Sequence, residues 1–177
     1  MARLKNIQNF QNKAPQLAPS TYVHESAIVI GEVSIGENSS VWPGAVIRGD
    51  VNFIRIGKNT NIQDLSILHV NHKSSEDPEG SPLIIGDYVT IGHTVILHGC
   101  TIEDECLIGM GSIVMDKAIV QKQVLLAAGS LVPEGKILES GNLYVGRPAK
   151  KVRALTLEEI KHLKYSADNY VKLKNEY

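Results

Sequence analysis

The chain has 177 residues, a formal net charge of −1 and two cysteines. This length suits one domain with a sizeable core. The balanced charge, without a Lys/Arg cluster, argues against a nucleic-acid partner, and two cysteines cannot build a disulfide framework. No apolar run of about 18 residues and no signal peptide can be recognised, so we expect a cytoplasmic protein without a membrane span.

Residues 1–20, with Pro15 and Pro19 and no clear periodicity, are predicted to form an extended lead-in. From Val23 onward, apolar residues recur every six positions, with shifts before Ile56 and Ile102 and an interruption after Leu68. In order they are Val23, Val29, Ile35, Val41, Ile47, Phe53; Ile56, Ile62, Leu68; Ile85, Ile91, Leu97; Ile102, Ile108, Val114, Val120, Leu126, Val132 and Leu138. Hexapeptide repeats indicate an all-β solenoid, a parallel β-helix in which each hexad forms one short strand and one corner. A sandwich of short strands is the alternative, and the many in-phase hexads argue against it.

The repeat is interrupted once and then ends. Residues 71–82 are polar and turn-forming, so we expect a surface loop, either functional or simply solvated. Near the C-terminus, Thr156 and Glu159 form a capping box ahead of apolar residues at helical spacing, which predicts one amphipathic helix over residues 156–174. These apolar residues are Leu157, Ile160, Leu163, Ala167 and Val171. The expected organisation is a β-helix over residues 1–150 and a C-terminal helical segment over 151–177.

Three of the six histidines flank the loop in an ordered register. His69 and His98 each follow a leucine of the same phase, so they should project from one face on rungs about 4.8 Å apart. Two imidazoles at that spacing can share one zinc ion. His93 belongs to the preceding corner and cannot easily complete the set within its own chain. A threefold assembly would bring the corner of one subunit to the face of the next.

Three histidines with one open position are typical of catalytic zinc sites. The alternative is that each histidine is merely solvated or bonded to a neighbour. Nearby, Gln63 and Asp64 should lie directly below His93, and Gln63 could orient a metal-bound hydroxide by hydrogen bond. Arg48 and Asp50, one hexad further back, fit an intersubunit ion pair, and a structural role is expected for both and for Asp64.

Several segments together resemble the γ-class carbonic anhydrase-like family, and the resemblance covers nearly the whole chain. They are Val41-Trp42-Pro43-Gly44-Ala45-Val46-Ile47-Arg48-Gly49-Asp50, Asn61-Ile62-Gln63-Asp64, His69, Ile91-Gly92-His93, Leu97-His98-Gly99-Cys100, Ile108-Gly109-Met110-Gly111 and Gly146-Arg147-Pro148-Ala149. The resemblance implies a left-handed parallel β-helix that forms a homotrimer with zinc at each subunit interface. His69 and His98 would come from one subunit and His93 from its neighbour.

The same resemblance assigns roles to other residues. Gln63 would assist the zinc-bound hydroxide, and Arg48 with Asp64 would hold the subunit interface. Asn61 and Tyr144 match positions near the family's substrate pocket.

The chain departs from the family where active members carry proton-shuttling glutamates. Val51 follows Asp50 where an acidic residue would stand. The nearest alternatives are Glu76, Asp77 and Glu79, in a loop that we expect to be mobile. Any proton relay should therefore be poor.

Four functions follow from these observations. The first is reversible hydration of carbon dioxide to bicarbonate by a zinc-bound hydroxide, possible also with Fe²⁺ or Co²⁺. The second is a hydrolase that uses the same centre on a thioester. The third is a hexapeptide acyltransferase, which would need one histidine as base rather than three. The fourth is a non-catalytic trimer stabilised by metal.

Overall fold

The computed structural model describes residues 6–177, which form a solenoid of short strands followed by one helix. The strands are β1 Ile7–Gln8, β2 Gln16–Leu17, β3 Tyr22–Val23, β4 Ile28–Ile35, β5 Ser40–Val41, β6 Val46–Ile56, β7 Asn61–Ile62, β8 Ile67–His69, β9 Leu83–Ile85, β10 Thr90–Ile91, β11 Ile96–His98, β12 Thr101–Ile102, β13 Leu107–Ile108, β14 Ile113–Val114, β15 Ile119–Val120, β16 Leu125–Leu126, β17 Leu131–Val132, β18 Ile137–Leu138, β19 Asn142–Val145 and β20 Lys150–Ala154. Helix α1, Leu157–Leu173, and a 3-10 turn, Lys174–Glu176, complete the chain. The predicted left-handed parallel β-helix with a C-terminal helix is confirmed.

Each turn of the solenoid contributes one strand to each of three faces. We call them face A (β8, β11, β14, β17), face B (β9, β12, β15, β18) and face C (β7, β10, β13, β16). Strands on a face pair in parallel, with residues of the same phase in register, as Leu68 is with Leu97 and then Val114. The long strands β4 and β6 bend around a corner and join faces A and B in one sheet.

The hexad period arises because one residue of each strand must point into the solenoid. Leu68, Leu97 and Ile91 are completely buried. The second buried position of the hexad lies at the corner, where a small residue fits. Ser66 is also fully buried there, and its hydroxyl donates to the carbonyl of Gly92 on the next turn at 2.9 Å. Apolar stacking and corner hydrogen bonds therefore join each turn to the next.

Strand β6 corrects the predicted phase at Phe53. Ile54 is completely buried, whereas Phe53 is half-buried and lies under the guanidinium of Arg55, 4.6 Å from its ring centroid. Between the paired positions Gly31↔Gly49 and Val33↔Ile54, β6 is three residues longer than β4. The extra residues bulge outward at Asp50–Asn52 and move the inward position from 53 to 54.

The loop over residues 71–82 leaves the solenoid as predicted, but it is anchored. At its base, the buried Asn52 amide donates to the carbonyls of Asn71 and Glu79 at 3.1 and 2.9 Å. Further along the loop, Asp77 forms an ion pair with Lys117 at 2.7 Å. The expectation of a mobile loop therefore overlooked contacts to residues far away in sequence.

Helix α1 lies against face C. Its capping box is formed as predicted, with Thr156 accepting from the Glu159 amide and Glu159 accepting from the Thr156 amide. Leu163 and Ala167 are buried, whereas Leu157, assigned to the same apolar stripe, is 78% exposed. The helix predicted over residues 156–174 is observed over Leu157–Leu173, and strand β20 precedes it within the segment 151–177.

The C-terminal end of the chain docks on the first turns of the solenoid through aromatic rings. Trp42 packs edge-on against Tyr170 and Tyr177, with ring centroids 5.4 and 5.3 Å apart, and Tyr22 completes the cluster. Such pairs contribute about 0.5–1.5 kcal/mol each beyond their buried area. The cluster fixes the helix over face C. Within residues 6–177, no helix has the length and apolar character needed to cross a bilayer.

The stacked core predicts a large cost for shortening an inward residue. Leu97→Ala should lower the free energy of unfolding by about 2–5 kcal/mol, because it leaves a cavity between two turns. Leu157→Ala, at the exposed start of α1, is the control and should change it by less than about 0.5 kcal/mol. Denaturant titration at fixed protein concentration measures both, and equal effects would contradict the proposed core.

Candidate metal centre

His69 and His98 end two neighbouring strands of face A and are in register. Nδ1 of His69 lies 3.1 Å from Nε2 of His98, with ring centroids 5.1 Å apart. Both side chains are only partly exposed, at 20% and 37%. The predicted stacking of this pair is therefore present. Burial holds the pKa of His69 below its usual value, which favours the neutral imidazole that metals bind.

Asp50 orients His69 from the bulge of β6. Its Oδ1 lies 3.2 Å from Nε2 of His69, and its Oδ2 accepts an ion pair from Arg48. Burial alone would raise the pKa of Asp50, but hydrogen bonds from Arg48, His69 and the Val51 amide outweigh burial and lower it. Arg48 and Asp50 thus form an ion pair within the chain, and Asp50 also contacts His69.

Asp116 orients His98 in the same way, and the sequence analysis missed it. Its two carboxylate oxygens lie 2.9 and 3.0 Å from Nδ1 of His98. Asp116 follows His98 by 18 residues, whereas the register partners Leu97 and Val114 are 17 residues apart, so Asp116 stacks on Gly99. The hexad phase places Met115 rather than Asp116 opposite His98, so the repeat does not by itself reveal this contact.

His93 lies at the corner that follows face C. Its Nδ1 is 2.9 Å from Oδ2 of Asp64, which confirms that Asp64 lies below it. The next residue, Thr94, has φ 58°, which is rare for a β-branched residue, and its hydroxyl donates to the His93 carbonyl at 2.7 Å. This turn leaves the imidazole 45% exposed and separate from the His69–His98 pair.

The donor set fits a divalent cation. Ionised carboxylates only accept hydrogen bonds, so Asp50 takes the proton of His69 Nε2 and Asp116 that of His98 Nδ1. The two remaining ring nitrogens then direct lone pairs at each other across 3.1 Å. Two nitrogens bound to one tetrahedral zinc at ~2.0–2.1 Å would lie about 3.3 Å apart, so a shared cation suits this spacing.

One chain alone does not complete such a centre. Within residues 6–177, no three His, Cys, Asp or Glu side chains are grouped so that they could hold one metal ion. His69 and His98 offer two nitrogens, and His93 is turned towards Asp64. A third protein ligand would have to come from elsewhere.

Gln63 and Asn61 form a buried chain of hydrogen bonds beside His93. Gln63 Nε2 donates to Asn61 Oδ1 at 3.0 Å, and Asn61 Nδ2 donates to Thr90 Oγ1 at 3.1 Å. Thr90 in turn bonds the Ser166 hydroxyl of α1 at 3.2 Å. The helix therefore helps to orient the Gln63 amide, which could not be foreseen from the repeat.

A groove of about 440 Å³ lies between α1 and the corners of face C. Its lining is mainly apolar, with His93, Gln63 and Tyr170 among its polar members. The apolar side chains include Leu107, Met110 and Leu125. The groove offers space for more than a triatomic molecule beside His93.

Tyr144 lies elsewhere. It occupies an inward position of β19, is 3% exposed, and its hydroxyl accepts from the Glu139 amide at 2.8 Å. Along face C it stands four rungs from Ile62, which corresponds to about 19 Å. The structure does not bring Tyr144 to the histidines of its own chain.

Arg48→Gln should raise the pKa of Asp50, because it removes the strongest partner of the carboxylate. The lowered pKa stabilises the fold above the unfolded value of about 4, and this stabilisation is lost as pH falls. In Arg48→Gln this stabilisation should be smaller, and its loss should be complete at a higher pH, because the loss ends at the folded-state pKa of Asp50. Carboxyl ¹³C NMR titration measures the shift, and Arg55→Gln, which removes the pair with Glu32, is the control that should leave Asp50 unchanged. An unmoved Asp50 in Arg48→Gln would contradict the assignment.

Curated relatives of this chain include named carbonic anhydrases. The chain is 44% identical over 165 residues to a carbonic anhydrase of Geobacillus kaustophilus, covering 93% of this chain and 87% of that protein. It is 47% identical over 173 residues to mitochondrial gamma carbonic anhydrase 1 of Arabidopsis thaliana, covering 98% and 62%. To protein YrdA of Escherichia coli it is 52% identical over 171 residues, covering 97% and 93%.

A solved structure shares the whole architecture. The crystal structure of a hexapeptide transferase family protein from Anaplasma phagocytophilum superposes with a TM-score of 0.91 at 43% identity, covering 98% of both chains. No family model matches the chain. Identities of this size over nearly complete chains nevertheless define the relationship. The chain therefore belongs to the γ-class carbonic anhydrase-like family of hexapeptide-repeat β-helix proteins.

Proposed function

We propose that this protein is a metal-dependent carbonic anhydrase that hydrates carbon dioxide reversibly, at sites shared between the subunits of a homotrimer. The observation that carries the proposal is the pair of ring nitrogens His69 Nδ1 and His98 Nε2, which lie 3.1 Å apart. In each ring the other nitrogen is hydrogen-bonded to a carboxylate, that of Asp50 or Asp116. The named carbonic anhydrases among its relatives support this activity.

Three histidines would hold the metal. His69 and His98 contribute from face A of one subunit, and His93, exposed at its corner, contributes from the next subunit. Nitrogen ligands suit Zn²⁺, and Fe²⁺ or Co²⁺ would also accept them. When bound, Zn²⁺ acidifies a coordinated water towards a pKa of ~7.

The surrounding residues position the reactants. The Gln63 amide is held by Asn61 and borders the groove beside His93, where it can hydrogen-bond an oxygen of water or bicarbonate. Arg48 and Asp50 hold His69, and Asp64 holds His93, so their roles are structural. The apolar side chains of the groove suit carbon dioxide, which is itself apolar.

Proton release is the weak step of this arrangement. Val51 follows Asp50 and is 45% exposed, with no proton to carry. Of the loop carboxylates, Asp77 is engaged by Lys117, and the Glu79 side chain is 88% exposed beside Lys73. Neither these two nor Glu76 is hydrogen-bonded to the histidine pair. The hydration rate should therefore depend on an external proton acceptor.

The groove supports a second candidate, hydrolysis of a thioester at the same centre. Its volume of about 440 Å³ and its apolar lining exceed what carbon dioxide requires, and would accept an acyl chain. Parallel assays of carbon dioxide hydration and thioester hydrolysis on metal-replete protein separate the two. If acyl-coenzyme A is turned over only when an acyl acceptor is supplied, the protein is an acyltransferase. If all three activities are absent, the metal has a structural role.

A site that needs two chains can be reconstituted from two defective ones. His69→Ala and His93→Ala should each lose nearly all bound metal. When equal amounts are unfolded together and reassembled as mixed trimers, random pairing restores about one quarter of the sites. Metal content per subunit measures this, with each variant reassembled alone as the control. No recovery, despite demonstrated subunit exchange, would disprove the shared site.

The hydration rate should be low and should rise with imidazole concentration. A positioned general acid or base contributes about 10²–10⁴-fold, and the carboxylates nearest the histidine pair, Asp50 and Asp116, are already hydrogen-bonded to its ring nitrogens. Stopped-flow assays over a range of imidazole concentrations test this, with Glu76→Ala and Glu79→Ala alongside. A fast, buffer-independent rate that falls in either variant would contradict the prediction and locate an internal relay in the loop.

A further inference from the structure

Three glycines at corners of the solenoid each lie beneath an aspartate of the next turn. An added Cβ would lie 2.3 Å from Asp87 Oδ1 at Gly57, 2.3 Å from Asp104 Oδ1 at Gly86, and 2.4 Å from Asp116 Oδ1 at Gly99. Any side chain at these glycines would displace the carboxylate. The three stacks share this close approach of a carboxylate to a glycine, and Gly99 alone of the three glycines has a positive φ, +53°.

In two of the stacks the carboxylate is bonded to the backbone. Asp87 accepts the amide of Lys58 at 2.9 Å, and Asp104 accepts the amide of Asp87 at 2.8 Å. In each case the amide belongs to the residue that follows the glycine. An aspartate in this position stabilises the corner by bonding a backbone amide of the turn below it.

The third stack differs. Both oxygens of Asp116 lie on Nδ1 of His98, at 2.9 and 3.0 Å. The side chain of the next residue, Lys117, forms an ion pair with Asp77. The backbone amide of Lys117 donates to the Gly99 carbonyl at 2.7 Å and fixes the turn. A carboxylate held in this way accepts only from a protonated Nδ1.

We propose that Asp116 is a positioning residue that holds His98 in the Nδ1–H tautomer, so that Nε2 is the nitrogen offered to the metal. The proposal rests on the proposed shared metal site and adds to it the residue that decides how His98 is presented. Gly99 is part of the device, because with φ +53° and no side chain it leaves room for the carboxylate. Carboxylates behind ligating histidines typically change metal affinity 10–100-fold when they are removed.

The test compares Asp116→Ala with Asp104→Ala, which removes a corner carboxylate that accepts from a backbone amide and from no histidine. Long-range ¹H–¹⁵N NMR of the full-length, metal-free protein reports the tautomer of His98. We expect Nδ1–H in the unmodified chain and in Asp104→Ala, and a large Nε2–H population in Asp116→Ala. Asp116→Glu, which keeps a carboxylate, guards against misfolding and should retain Nδ1–H.

Zinc binding is then measured by competition with a chromophoric chelator on the same proteins. Asp116→Ala should raise the dissociation constant for zinc 10–100-fold, and Asp104→Ala should leave it unchanged. An unchanged His98 tautomer in Asp116→Ala, or an equal affinity loss in both alanine variants, would overturn the inference. If the unmodified chain binds no zinc, the proposed function fails, and the NMR result alone still decides whether Asp116 sets the tautomer.

Discussion

The structure depends on the stacking of each solenoid turn on the one before it. Parallel pairing puts residues of equal phase on adjacent rungs, and inward side chains such as Leu68 and Leu97 bury each other completely. The outward neighbours of those residues are stacked by the same constraint. His69 and His98 are 29 residues apart in sequence, yet they meet because the leucines before them must be in register.

Each of the three histidines has a carboxylate partner: Asp50 for His69, Asp64 for His93 and Asp116 for His98. A carboxylate beside an imidazole accepts a hydrogen bond from its N–H, and the other ring nitrogen then has a free lone pair. Two such lone pairs facing each other are unfavourable without a cation between them. This arrangement of carboxylates and imidazoles on face A supports the proposed metal site.

The irregular parts of the solenoid lie together beside this face. The bulge in β6 contributes Asp50, which holds His69, and Asn52, which anchors both ends of the loop over residues 71–82. Through Asp77 and Lys117 the same loop reaches the turn that carries Asp116. The bulge and the loop thus lie next to the histidines and leave the stacking of the apolar core unchanged.

The sequence by itself determined the solenoid, the stacking of His69 on His98 and the separate position of His93, because a period of six residues dictates phase locally. It also determined the capped helix, through the Thr156–Glu159 capping box and the apolar residues at helical spacing. Only the tertiary structure decided that Ile54 rather than Phe53 points inward, that Asp50 contacts His69, that Tyr144 belongs to the core, and that Asp116 contacts His98. The physical reason is that bulges and loops shift the phase by amounts that composition does not specify. Polar contacts between turns also depend on side-chain directions that the apolar period leaves undefined.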